Sequence, residues 1–542
     1  MKKLIIILTI IASGCMDLDV QPKNGLTEAV AFSDSESYRL YLSKLYGSFM
    51  LTGQDGPDGD ADLSIINDEG FSSYIRAYWK AQELTTDEAV ISWTDAGIRE
   101  MHEHSWTAGN QFVRVLYYRI FYTIALSNDF LNQSSESNLD AYGITEADRV
   151  EIRAFRNEAR FIRALSYFHA LDFYRSVPLL TSITSELPFQ AEPKALFDFI
   201  VQELEDVEAN LPDPKANQYG RADKAAVWML QAQLYLNAEV FIGESMYDQV
   251  LTVTEKVIAA GYTLTPNYDD LFKADNHTST EVIFAFSSDG VSSLNWGGTT
   301  FMVNAAIGGF MNDNIVDGTE KVIDGGDGTE VSLPDEGLTN YGVGGGWAGM
   351  RTTSAMLDKF QFGTPSQDPR GIFYSNGQSL EIEDIAEFQE GIAVPKFVNN
   401  TSDGTAGSNV DQVDTDFPYF RVADAYLMYA EAVVRSGNGN RATAVQLINE
   451  LRERAYGDAS ANISDADLTT AFVMDERVRE LYWEATRRRD LIRDNKFTKN
   501  YVWPWKGNEK DGIETEDFRI IFPIPSSELE SNPNMVQNDP NY

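Results

Sequence analysis

Cys15 is the only cysteine in this 542-residue chain, and its surroundings prescribe a definite reaction. Met1-Lys2-Lys3 open the chain with positive charge, and residues 4–11 are apolar apart from Thr9. Ala12-Ser13-Gly14 then place small residues directly before the thiol. A charged start, a short apolar core and small residues form a secretory signal peptide, and this apolar run is too short to span a bilayer. The small residues let a peptidase hold the chain extended while the thiol accepts a diacylglyceryl group. The expectation is a signal peptide at 1–14, lipidation at Cys15 and a mature chain of 15–542 tethered to a membrane. Acylation by more than one chain makes such an anchor stable. The alternative is a secreted protein with an incidental cysteine.

Other reactive groupings carry weaker signals. Asp and Glu number 83 against 43 Lys and Arg, so a carboxylate pair at glycosidase separation arises by chance. His102 and His104 could face one way on a strand, but no third ligand accompanies them for zinc. No Gly-x-Ser-x-Gly elbow or phosphate-binding glycine loop is present. Asp414 and Asp416, with Asp275, could offer calcium its oxygen ligands; otherwise they are solvated loop carboxylates or caps. No cofactor is required. Among the nine tryptophans, Trp228 and Trp483 fall on apolar helical faces as core, and Trp503 and Trp505 flank Pro504 as structural residues. Trp296 and Trp347 are bordered by glycines, which leaves their faces open. An indole face suits the apolar C–H face of a pyranose, and aromatic stacking adds about 0.5–1.5 kcal/mol per ring beyond area burial.

The net charge of −40 becomes −42 once Lys2 and Lys3 are removed. That excess of acid disfavours nucleic acid, anionic lipid and polyanionic substrates as partners, and hints at saline surroundings. A chain that is 43% hydrophobic and 12% aromatic is a folded globular protein, and with Cys15 lipidated no disulfide supports it. Helical periodicity dominates a framework over about 33–262, behind an extended leader at 16–32. In 151–174, Ile152, Phe155, Ala159, Ile162, Leu165, Phe168 and Leu171 recur every three or four residues with arginines between. Further helices are expected over 197–211, after Gly220 and over 247–260, and successive pairs read as tetratricopeptide-like hairpins. Residues 263–420 are rich in Gly, Asn, Asp and Thr, with short strands such as Val282-Ile283-Phe284-Ala285-Phe286, and form a loop-rich insertion suited to ligand binding. Helices return over about 421–495, at 422–435, 441–456 and 472–488. The fold class is mainly α.

Several motifs occur in family order along nearly the whole mature chain. They are Glu158-Ala159-Arg160-Phe161-Ile162-Arg163-Ala164, Gly220-Arg221-Ala222-Asp223, Phe420-Arg421-Val422-Ala423-Asp424-Ala425-Tyr426, Glu476-Arg477-Val478-Arg479-Glu480-Leu481 and Arg488-Arg489-Asp490-Leu491. Phe522-Pro523-Ile524-Pro525 and Asn532-Pro533-Asn534 close the series. Together they resemble the SusD/RagB family of outer-membrane nutrient-binding lipoproteins. The resemblance implies one SusD-like domain over 15–542, exposed at the cell surface, and a SusC-like TonB-dependent barrel as partner. Asp68-Glu69-Gly70, Arg76, Trp93, Asn295-Trp296-Gly297-Gly298 and Val502-Trp503-Pro504-Trp505 further resemble its glucan-binding branch. By that likeness Trp93, Trp296 and Trp347 form an aromatic arc, Asp68 and Arg76 make polar contacts, and an asparagine of the branch has become Ala96. The implied role is non-enzymatic binding of a neutral glucan, laminarin slightly ahead of starch. The alternatives are a glycoside hydrolase and a peptide-binding relative.

Overall fold

Thr145 opens the longest helix, Glu146–Tyr174, by accepting the Asp148 N–H, and Glu146 and Asp148 add negative charge to its first turn. Its second half is buried on all sides, as expected for a helix that other helices surround. Helices Gln111–Gln133 and Pro193–Glu208 flank it, and helices Lys224–Leu236, Tyr247–Ala259, Val422–Ser436 and Arg441–Tyr456 continue the array, each packed on the next. The expected mainly α, hairpin-repeat architecture is therefore present. This computed structural model describes residues 28–308, Met311 and residues 341–542. The expected signal peptide, Cys15 and all but the last residues of the expected leader lie outside them. Within the leader, Glu28–Ala31 is a helical turn rather than extended chain.

Two short antiparallel pairings order the middle of the chain, one between its own two ends and one to the segment that follows helix Tyr74–Glu83. Val282–Phe286 pairs with Phe417–Arg421, and Val90–Ile91 pairs with Met350–Arg351. One continuous buried cluster includes both framework and middle residues, from Tyr38 to Met535.

The motif at 420–426 and those at 476–490 meet inside this core as an ion network. Arg421 donates to Glu281 (2.7 Å), Glu480 (2.6 Å) and Glu484 (2.6 Å). Arg370 bridges Asp368, Glu476 and Glu480, while Arg477 bridges Asp424 and Asp490. Despite burial, the surrounding arginines hold Glu476 and Glu480 below the usual carboxylate range. Removing one partner from such a network strands the others in low dielectric.

Two local expectations need correction. The helix foreseen over 472–488 is two helices, Thr470–Leu481 and Arg487–Arg493. Between them Trp483 (φ 62°) and Ala485 (φ 60°) adopt left-handed backbone. Trp483 is buried, but in this break rather than on a helix: its N–H and indole donate to the Glu88 side chain and carbonyl, and its carbonyl accepts the Trp79 indole. His102 and His104 lie on no strand. They end a short helix, buried, with ring nitrogens bonded to Ala89, Pro504, Thr515 and Thr85.

Candidate ligand-binding site

Helix Gly298–Ala306 organises a surface cavity of about 760 Å³. Trp296 lies just before its N-terminus. The segment carrying Trp347 caps its C-terminus, because the N–H groups of Trp347, Ala348 and Gly349 donate to the carbonyls of Asn304, Ile307 and Ala305. These bonds satisfy carbonyls that the helix end leaves free. The loop carrying Trp93 is joined to the same segment, since Ser92 donates through its N–H to Gly349 and through its hydroxyl to Ala348. The Trp93 indole completes the link by donating to the Trp347 carbonyl (3.2 Å).

The glycines around Trp347 serve close approach more than exposure. A Cβ on Gly349 would come within 2.8 Å of the Trp93 indole, and Gly346 sits at φ +70° against the Ile307 carbonyl. The three rings are half-buried and line one cavity. Trp93 and Trp347 lie 6.3 Å apart with planes tilted by 42°, and Trp347 and Trp296 lie 6.1 Å apart at 60°.

Arg76 comes from helix Tyr74–Glu83, which is buried along its length. Its guanidinium lies over the rings of Phe71 (4.2 Å), Phe301 (4.5 Å) and Trp93 (5.8 Å). Nη1 donates to the Trp296 carbonyl (2.7 Å), and Nε has no hydrogen-bond partner. Burial pushes Arg76 down to about 9, against the attraction of Asp68 and Asp95. One turn on, Lys80 is fully buried against Phe112 (3.9 Å) and Phe71 (4.8 Å) with no partner on Nζ. Burial, then Arg76, pushes its ammonium well below the usual lysine range. Asp68 is exposed at the rim and uses one oxygen to accept the Gly70 N–H (2.9 Å).

All five residues expected from the resemblance, Asp68, Arg76, Trp93, Trp296 and Trp347, therefore line one cavity. Ala96 does not line it; its carbonyl accepts from Gln111. Sequence reasoning missed Asp58, Glu69, Phe71 and Asp95, which complete the wall. Asp95 carried a usable signal, standing two residues beyond Trp93. Asp58 carried none, because only the folded loop brings it near. Most of the lining, from Asp58 to Asp95, precedes residue 262, and only Trp296 and Trp347 come from the loop-rich region at 263–420 where the site was expected.

The three carboxylates considered for calcium are engaged by loop donors. Asp275 accepts from the Ser402 N–H and hydroxyl, and Asp414 from Gly290 and Ser408. Asp416 accepts the Ser288 N–H, and burial pushes its carboxyl up to about 6. The three carboxylates are occupied as loop caps, and no group of three His, Cys, Asp or Glu suited to a metal occurs among the described residues. Nor is any described helix long and apolar enough to cross a membrane.

Residues 370–542 match the SusD family. The whole chain is 33% identical to the starch-binding protein SusD of Bacteroides thetaiotaomicron, over 99% of this chain and 97% of that one. It is 25% identical to the SusD-like protein P2 of Formosa agariphila, over 89% and 92% of the two chains. Among solved structures, a laminarin-binding SusD-like protein superposes with TM-score 0.68 at 21% identity, over 94% of this chain and all of that one. The surface glycan-binding protein A of Bacteroides thetaiotaomicron, in complex with laminarihexaose, superposes with TM-score 0.67 at 19% identity, over 94% and 99%.

Proposed function

This chain belongs to the SusD family, and we propose that it captures a neutral, curved glucan without cleaving it and passes it to a TonB-dependent outer-membrane transporter. The observation that carries this reading is the trio of tryptophans on one cavity wall. Their planes turn by 42° and then 60° over centroid steps of 6.3 and 6.1 Å. Sugars stacked on successive indoles must turn likewise, which suits a helical glucan and not a flat ribbon. Asp58, Asp68, Glu69 and Asp95 around the aromatic floor are placed to accept hydrogen bonds from hydroxyls and to repel uronates and sulfates. Three stacks at an open surface site support micromolar to millimolar affinity, about −4 to −8 kcal/mol.

Starch-type α-glucan is the first choice, because the full-length likeness at 33% identity is to a starch-binding protein. Laminarin is the second reading, favoured by the all-tryptophan arc. Calorimetry with maltoheptaose and laminarihexaose, followed by an assay for reducing ends, tests both points. Binding without release of reducing ends is expected. Release above background would establish a hydrolase, and binding of neither glucan would remove the proposal.

Lipidation at Cys15 would hold the protein at the outer membrane, facing outward. Cys15→Ser should move it to the soluble fraction, and protease shaving of intact cells should cleave the wild type. Pull-down from mild detergent should recover a large barrel protein with it.

A further inference from the structure

The loop at 53–59 is fastened firmly at its neck and by a single bond at its tip. At the neck the Asp62 N–H donates to the Thr52 carbonyl (2.7 Å). Lys44, from helix Ser35–Gly47, donates to the Asp62 carboxylate (2.8 Å). Arg119, from helix Gln111–Gln133, donates to the Thr52 carbonyl (3.1 Å). Within the loop, Asp60 accepts the N–H groups of Gln54 (2.5 Å) and Asp55 (2.7 Å). Beyond the neck, one hydrogen bond among the described residues joins 53–59 to the rest of the protein: the Gly59 N–H donates to Glu69 Oε2 (2.7 Å). Gly59 stands at φ +110° with open space where a Cβ would be, so glycine serves the turn here and not a tight fit.

Glu69 opens the 3₁₀ turn Glu69–Ser72, which is itself held against the aromatic wall. Asp68 caps the turn at the Gly70 N–H, and Arg119 donates to the Ser72 carbonyl and hydroxyl at its other end. A Cβ on Gly70 would come within 2.7 Å of Trp296 Cβ, so the turn and the Trp296 segment are in direct contact. The Glu69 bond therefore refers the loop tip to the wall that carries the indoles. Next to Gly59 it places Asp58, which lines the cavity with an exposed carboxylate that has no hydrogen bond or ion pair among the described residues. A carboxylate accepts from hydroxyls with charge-assisted strength. Without the Glu69 bond a ligand would have to order the tip itself, and that lost conformational entropy would be subtracted from affinity.

We propose that Glu69 is a positioning residue that latches the 53–59 loop as a second wall of the glucan site, so that Asp58 determines specificity there by accepting from sugar hydroxyls. This role rests on the glucan-capture reading, whereas the latch can be read without a ligand. In hydrogen exchange of the full mature chain, Glu69→Ala should raise amide exchange across 53–59 by about ten-fold. Glu69→Gln, which keeps an acceptor oxygen, should stay within about two-fold of the wild type, and Asp58→Ala should leave exchange unchanged. Calorimetry with maltoheptaose and laminarihexaose reads the consequence. For the glucan that the wild type binds, Glu69→Ala and Asp58→Ala should each weaken affinity by about five-fold, and Glu69→Gln should restore most of the loss. The two alanine substitutions combined should weaken it little more than either alone, because a released loop no longer presents Asp58. Direct contact between Glu69 and the sugar would instead leave exchange unchanged in Glu69→Ala and make the two losses add. Either of those results, or wild-type affinity in Asp58→Ala, would overturn the proposal. Asp58 is exposed, so its variant remains informative if Glu69→Ala fails to fold. A wild type that binds neither glucan would overturn the capture reading and this role together, an outcome distinct from a wild type that binds and variants that bind equally well.

Discussion

Arg421 and Arg76 are both buried guanidinium groups, 1% and 3% exposed, and their surroundings are opposites. Arg421 is surrounded by three carboxylates and bonded to each. Arg76 faces three aromatic rings and one carbonyl, and its Nε is unpartnered. The first arrangement is closed: every strong group is answered from within, so the residues hold a frame. The second is open, with half-buried indoles and exposed rim carboxylates that only a ligand can complete. Unspent stacking and hydrogen-bonding capacity separates the site from the scaffold here, more than the presence of charge does.

The largest effect should come from the closed region. Arg421→Met leaves Glu281, Glu480 and Glu484 short of a partner and should cost about 3–5 kcal/mol of stability, read as a large fall in melting temperature or loss of folded protein. In the open region Trp347→Ala should reverse the pattern. The segment around Trp347 is held by backbone bonds, so the melting temperature should scarcely move. Losing the ring that neighbours both others should lower glucan affinity by about ten-fold or more. If Trp347→Ala unfolds the protein instead, the contrast between the regions collapses.

A pH effect on stability is expected from a buried carboxyl pair in the frame. Glu83 and Glu88 are buried together, 0% and 2% exposed. Burial, then the Glu88 charge, pushes Glu83 well up, and burial pushes Glu88 up to about 7. Carboxyls raised on folding hold protons that the unfolded chain releases. Their stabilisation is complete below the ordinary carboxylate range and is lost as pH rises through about 7. Melting temperature should therefore fall as pH rises from the ordinary carboxylate range through about 7, and Glu83→Gln should flatten that slope. A slope unchanged in Glu83→Gln would exclude the pair as its source. The smallest effect is expected of Asp68→Asn, which keeps the oxygen that caps Gly70. Affinity for a neutral glucan should change by less than about three-fold, while rejection of an anionic oligosaccharide relaxes.

The closed region was also the more legible one in the sequence. Helix periodicity over 151–174 marked the Glu146–Tyr174 helix, and Asp223 in the Gly220 motif accepts the Ala225 and Ala226 N–H groups as the cap of the next one. The break at 482–486 was hidden because Trp483-Glu484-Ala485 contains nothing that stops a helix locally. Distant Glu88 and Trp79 impose it, a tertiary override of propensity. The cavity is different again. Trp93, Trp296 and Trp347 lie far apart in the chain, and their spacing alone does not bring them together; family likeness named them. Phe71 and Asp58 had no pattern to betray them, since their place follows from how loops close over helix Gly298–Ala306.

Calorimetric titration of maltoheptaose and laminarihexaose into the wild type, Trp93→Ala, Trp296→Ala and Trp347→Ala, with a melting curve for each variant, addresses the shared aromatic wall most directly. All three substitutions should weaken the same glucan strongly while melting temperatures stay near that of the wild type. A folded variant that binds as well as the wild type would contradict a single site built from these three rings.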